Sequence, residues 1–118
     1  MITAAEVSGI VGFPVTAQDD GFRCKFVDAK QGWLQVELME ASSRGAHDIC
    51  EYAPAKRTVV PGVGDSASYL GATACVKLGD VAIVVDSSNL AEHSAELGKS
   101  GADSPSIRVA KLVASRIP

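Results

Sequence analysis

Polar and hydrophobic residues alternate through much of this chain, and helices show where the alternation gives way to a spacing of three and four. The strongest stretch runs from Val59 to Asp86. Within it, Ala74–Leu78 and Val81–Val85 are rich in β-branched residues and only Gly79-Asp80 separates them. Two residues of that kind between two such runs predict a hairpin closed by a primed turn, whose twist suits the flanking strands. Leu78 then faces Val81, Val76 faces Ile83 and Ala74 faces Val85, making one apolar face. Cys75, Lys77, Ala82 and Val84 take the other. A hairpin so apolar on both sides belongs in the middle of a covered sheet.

The same reading places the other elements. Thr3-Ala4-Ala5-Glu6 is a capping box, followed by Val7, Ile10 and Val11 on one helical stripe, with Gly12 and Pro14 ending the helix. Thr16–Gly21 is polar and reads as a loop. Phe22–Phe26 alternates as a strand with Phe22, Cys24 and Phe26 on one face. Lys30-Gln31-Gly32 turns the chain into a second strand with Leu34, Val36 and Leu38 inward. Trp33 falls on the polar face with Gln35. Ala46, Ile49, Cys50 and Ala53 predict a helix capped by Ser42-Ser43 and stopped at Pro54, with Asp48 towards its positive end. Gly62, Gly64 and Asp65 mark a turn-rich connector after Val59-Val60, and Ala67–Leu70 is a short strand. Leu90–Leu97 suggests helical turns ended by Gly98. A last helix starts at Pro105 and buries Val109, Leu112, Val113 and Ile117. The order α-β-β-α-β-β-β-α describes one α+β domain over residues 1–118, with helices packed on an antiparallel sheet of about five strands.

Composition narrows the function classes. The 118 residues are 47% hydrophobic and 21% charged, the balance of a folded domain, and only 5% aromatic, so the core is aliphatic. A net charge of −3 leaves no basic excess to displace counterions from phosphates, which argues against nucleic acid. No apolar run has the roughly 20 residues of a transmembrane helix. The start at Met1 shows neither the charged nor the apolar region of a signal peptide, which fits a cytosolic protein or one whose leader has been removed.

Catalytic signatures are weak. Gly62-Val63-Gly64-Asp65 lacks the spacing of a phosphate loop and no helix follows it, so it reads as a structural turn, as does Gly79-Asp80. His47, Cys50 and Glu51 would share one side of a helix, as a thiol or metal site would require, but Cys50 also lies on the apolar stripe. Asp19-Asp20 with Asp86 would form a carboxylate pair only if the fold joined them. Nothing calls for a metal or a cofactor. Cys24 and Cys75 each stand mid-strand and are a disulfide candidate, closing a loop of about 50 residues worth roughly 3–4 kcal/mol. The alternative is that all three cysteines are free thiols.

Arg23-Cys24-Lys25-Phe26, the Pro61–Ala67 element, the strand–Gly-Asp–strand run Ala74–Val85 and the final helix Arg108–Ile117 follow one another as in a known group. In that order the chain resembles small bacterial secreted proteins and lipoproteins of unknown function with a PsbP-like α+β fold. Ser104-Pro105-Ser106 stands where some relatives carry a further cysteine, and no lipobox cysteine is present. The resemblance implies a periplasmic or cell-envelope domain and supplies no catalytic residues.

Two functions from different classes follow. The first is an exported, non-enzymatic binding or accessory domain for a protein partner or a small apolar ligand, with Trp33, Tyr69 and Leu70 as contact residues. The second is a cytoplasmic thiol enzyme or subunit using Cys50 with His47. A homodimer joined through a sheet edge is a further reading.

Overall fold

In a computed structural model, residues 2–20 and 23–117 are described; Met1, Gly21, Phe22 and Pro118 lie outside them, and with Phe22 goes one end of the expected strand. The chain folds as α1 (Ala4–Val11), β1 (Val15–Asp20), β2 (Arg23–Asp28), β3 (Trp33–Glu40), α2 (Arg44–Cys50), β4 (Thr58–Val59), β5 (Ser66–Leu70), β6 (Thr73–Leu78), β7 (Val81–Asn89) and α3 (Pro105–Ala114), with short 3-10 turns between. This is an α+β fold whose single antiparallel sheet has the order β1-β2-β3-β7-β6-β5-β4. Two meanders, β1–β3 and β4–β7, meet where β3 pairs with β7. The sheet has seven strands rather than about five. The polar stretch expected as a loop is β1, an edge strand whose Thr16–Asp19 are exposed, and β4 is only two residues long.

The β6–β7 hairpin has the expected register, with Leu78 opposite Val81, Val76 opposite Ile83 and Ala74 opposite Val85. Gly79 alone of the two turn residues takes a positive φ, 57°, as in a primed turn with glycine first. Asp65 braces this turn. Its Oδ2 accepts from Gly79 N–H at 2.7 Å, and its own N–H donates to the Lys77 carbonyl at 2.8 Å.

Gly64 lets that connector lie against β6. Its φ is +58°, and an added Cβ would stand 2.6 Å from the Lys77 oxygen and 2.8 Å from a Val76 methyl. Gly64→Ala is therefore expected to lose about 2–4 kcal/mol, combining backbone strain with a clash against backbone. Gly62 has a φ of +80° but open space, so Gly62→Ala should show only the strain, about 1 kcal/mol. Urea midpoints of the two variants check this, and equal losses would remove the clash from the explanation.

The sheet separates two cores. On one side α1 and α3 cover Phe26, Leu34, Val36, Ala74, Val76, Ile83 and Val85. Helix α1 carries the full capping box of Thr3 and Glu6 and ends at Gly12 in the left-handed region. Helix α3 buries Ile107, Val109, Ala110 and Val113, while Leu112 is only half-buried and Ile117 lies past the helix end. On the other side the seven-residue α2, capped by Ser43, covers a much smaller cluster of Ala46, Cys50, Cys75, Ala82 and Val84.

That smaller core holds the disulfide, and it joins Cys50 to Cys75 with Cα atoms 5.4 Å apart. The expected Cys24–Cys75 pairing is corrected by the topology. β3 and β7 stand between β2 and β6, a separation of roughly 14 Å against the usual 4.4–6.8 Å span. The two side chains also point to opposite faces, Cys24 to the α1/α3 core and Cys75 to α2. Cys24 is a free, half-buried thiol, which burial and then the Asp19 carboxylate push above its ordinary pKa.

Candidate functional site

A seven-residue helix cannot cover a seven-stranded face. Strand register shows what it leaves open. One cross-strand row on that face runs Gln35, Asp86, Thr73, Leu70, and the next runs Glu37, Val84, Cys75, Ser68. The disulfide anchors α2 over the second row, and beside it lies a cleft of about 400 Å³. Its floor is the first row with Glu37 and Val84, and its wall is Asp48, Ile49 and Tyr52 from α2 and the turn after it. Arg57 closes one end.

Arg57 fastens the wall to the sheet. Its Nε donates to Ser68 Oγ on β5 at 2.8 Å, and its Nη1 donates to the carbonyls of Ile49 and Tyr52 at 3.1 and 3.4 Å. A guanidinium thus satisfies the Ile49 carbonyl, left free at the C-terminal end of α2 where positive charge is favoured, and the Tyr52 carbonyl in the turn after it. Burial draws its pKa below the ordinary arginine value. Its Nη2 is buried and has no hydrogen-bond partner among the described residues.

The carboxylates around the cleft are not equivalent. Arg23 lies 3.6 Å from Glu37, and Arg44 lies 3.8 Å from Asp48. Asp86 has no cation within ion-pair distance among the described residues. Its Oδ1 accepts from the Ser88 N–H at 2.9 Å and the Ser88 hydroxyl at 2.6 Å. The register supplies the reason: β7 uses three residues from Asp86 to Asn89 where β3 uses two from Gln35 to Trp33. That bulge, held by Ser88, fixes the carboxylate over the cleft.

The contact residues expected from sequence are divided by the sheet. Leu70 lines the cleft. Trp33 shares its face, two residues along β3 from Gln35, with the Lys25 ammonium 4.8 Å from the ring centroid. Tyr69 points to the opposite side, packs on the α1/α3 core and accepts a 2.8 Å hydrogen bond from Gly101 N–H. The thiol reading of Cys50 meets a sulfur already bonded to Cys75, while His47 pairs with Glu51 on the exposed side of α2. Asp19 and Asp86 stand on strands separated by β2 and β3.

Arg57 carries no pattern in sequence, since it sits between a helix stop and a turn-rich connector. Asp86 stands out there only as the polar end of an apolar strand. Among the described residues no three His, Cys, Asp or Glu side chains gather as a metal site would, and no helix is long and apolar enough to cross a membrane. Comparison of the chain with protein-family models, with curated proteins and with solved structures returns no match.

Proposed function

We propose that this chain is an exported, non-enzymatic binding domain that takes a small ligand with an apolar body, or the equivalent segment of a protein partner, in the cleft beside α2. The observation that supports this best is the cleft itself: about 400 Å³, with Ile49, Leu70 and Val84 as apolar surface among the polar side chains of Gln35, Glu37, Thr73 and Asp86. Its size falls within the range of small-ligand sites. Its floor is a sheet and its wall is tied by a disulfide and a guanidinium, so little order need be gained on binding. The disulfide favours an oxidising compartment, in keeping with the resemblance to secreted envelope proteins.

A nitrogen-15 NMR screen against small aliphatic and aromatic fragments tests this reading. Hits should shift the amides of Leu70, Thr73 and Val84, and Leu70→Asp should weaken them at least about tenfold by placing a charge on the apolar floor. Trp33 fluorescence should change as the hits bind. Hits that survive Leu70→Asp, or that map to α1 and α3, would remove the cleft from the proposal. Full binding by Trp33→Ala would remove that ring.

A further inference from the structure

The two edges of the sheet are not alike. In an antiparallel sheet the N–H and C=O of one residue point to the same neighbour, and successive residues point to opposite neighbours. At the β4 edge Val60 donates inward to the Ala67 carbonyl, so Arg57, Val59 and Pro61 face outward. The Arg57 N–H is spent on the Pro54 carbonyl at 3.4 Å, and proline has no N–H. Val59 is the one free outward donor there among the described residues, and that edge is closed to a further strand.

The β1 edge is open. Asp28 donates to the Gly32 carbonyl on the β3 side, so Lys25 and Val27 bond to β1, where the register sets them opposite Gln18 and Thr16. Val15, Ala17 and Asp19 therefore face away from the sheet. Ser8 Oγ takes the Val15 N–H at 3.1 Å, whereas no described group meets the N–H or C=O of Ala17 or Asp19. All of Thr16–Asp19 is exposed, and the strand has no proline, lysine or bulge to turn another strand away.

We infer that β1 pairs with β1 of a second copy of this chain, antiparallel about a two-fold axis at Gln18, and joins the two sheets into one. Copies with one open edge can continue the sheet only by pairing that edge with itself, which closes as a dimer instead of growing into a fibre. Ser8 and Asp19 set the register. An axis at Ala17 would spend the Asp19 carbonyl on the Val15 N–H, which Ser8 already holds. An axis at Asp19 would set two carboxylates directly opposite each other. The Gln18 axis sets Ala17 opposite Asp19 of the second copy, and the reverse, so four N–H···O bonds use every backbone group those two residues leave free. The Asp19 carboxylates then lie on a diagonal, about 7 Å apart. The exposed Gln18 side chains meet across the axis, where each amide can donate to the other. Because the axis is perpendicular to the sheet, both clefts open on one side of the dimer and both α1/α3 layers lie on the other.

Sedimentation equilibrium on the oxidised full chain, from about 10 μM to about 1 mM, should show a reversible monomer–dimer equilibrium with Kd of about 0.1 mM, the strength of a small interface. Ala17→Pro removes an outward N–H and no bond to β2. Its urea midpoint should stay near that of the wild type while its dimer weakens at least about tenfold. Cysteine cross-linking reads the register without the proline variant. With Cys24→Ser in the background, air oxidation should cross-link Gln18→Cys across the axis, where Cα atoms about 4.5 Å apart are within disulfide range. Thr16→Cys in the same background should cross-link at least about tenfold more slowly. A chain that stays monomeric at about 1 mM would overturn the inference, as would a dimer that survives Ala17→Pro unchanged. Thr16→Cys cross-linking as fast as Gln18→Cys would overturn the pairing about Gln18.

Discussion

Asp28→Ala is expected to cost about 4 kcal/mol of stability, close to the loss of a large core side chain. Asp28 is only 3% exposed, yet its carboxylate accepts four backbone N–H groups. Oδ1 takes those of Lys30 and Gly32 at 2.9 Å each, closing the β2–β3 turn. Oδ2 takes those of Ala91 and Glu92 at 2.8 and 2.9 Å, tying the segment after β7 to the other meander. Alanine would leave four donors unmet where water has little access. Asparagine should be nearly as costly, because its amide would turn an N–H₂ group towards two of them. Gly32 makes the closure possible, since a Cβ there would run into the Ala91 nitrogen and stand 2.6 Å from the Asn89 carbonyl.

The same geometry sets a pH dependence. Burial alone would raise the Asp28 pKa, but the four N–H donors outweigh it and hold the carboxyl below its ordinary value. A depressed folded-state pKa gives stability that is fully present above the ordinary aspartate value, about 3.9. That stability drains as pH falls through the lower folded value. Urea unfolding in steps from about pH 7 to pH 2 should show a steeper acid loss in wild type than in Asp28→Asn. Parallel curves, or a loss below about 1 kcal/mol for Asp28→Ala, would mean that other groups close the turn and the segment.

The second large effect lies across the sheet. Reduction, or Cys75→Ser, should remove about 3.5 kcal/mol, the loop-closure contribution expected for a 25-residue separation. Helix α2 is too short to persist by itself, and the cluster beneath it is mostly alanine and cysteine, so little apolar burial compensates. Denaturant curves with and without a dithiol measure the loss. Intact mass after alkylation in denaturant, without reductant, should show one labelled cysteine, Cys24, with Cys50 and Cys75 protected. Labelling of Cys50 with protection of Cys24 would overturn the pairing, and three labels from oxidised material would remove the support for an exported domain.

How far the sequence foretells this structure depends on whether neighbours in space are neighbours in sequence. The β6–β7 register is legible because a Gly-Asp turn and alternating side chains act within a dozen residues. Helix α1 is legible because Thr3 and Glu6 cap it locally. Strand β1 is not, because an edge strand with an exposed face, such as Thr16–Asp19, has no need of alternating apolar residues. The cysteine pairing fails to read for a different reason. Alternation correctly places Cys24 beside Phe26, but only strand order reveals that β3 and β7 intervene before Cys75. The cleft draws on β3, α2, the turn after it, β5, β6 and β7, so no contiguous motif marks it. Leu70 can be suspected from sequence, whereas Arg57 and the free oxygen of Asp86 become visible only in the folded chain.

The sheet also acts as a partition. Asp28 follows Phe26 by two residues and so faces the α1/α3 side, whereas the disulfide stands on the α2 side. Protons therefore loosen one side of the molecule and electrons the other. Groups so far apart, with no shared partner, contribute additively. Acid and reductant together should subtract the sum of their separate effects from the stability of the one fold.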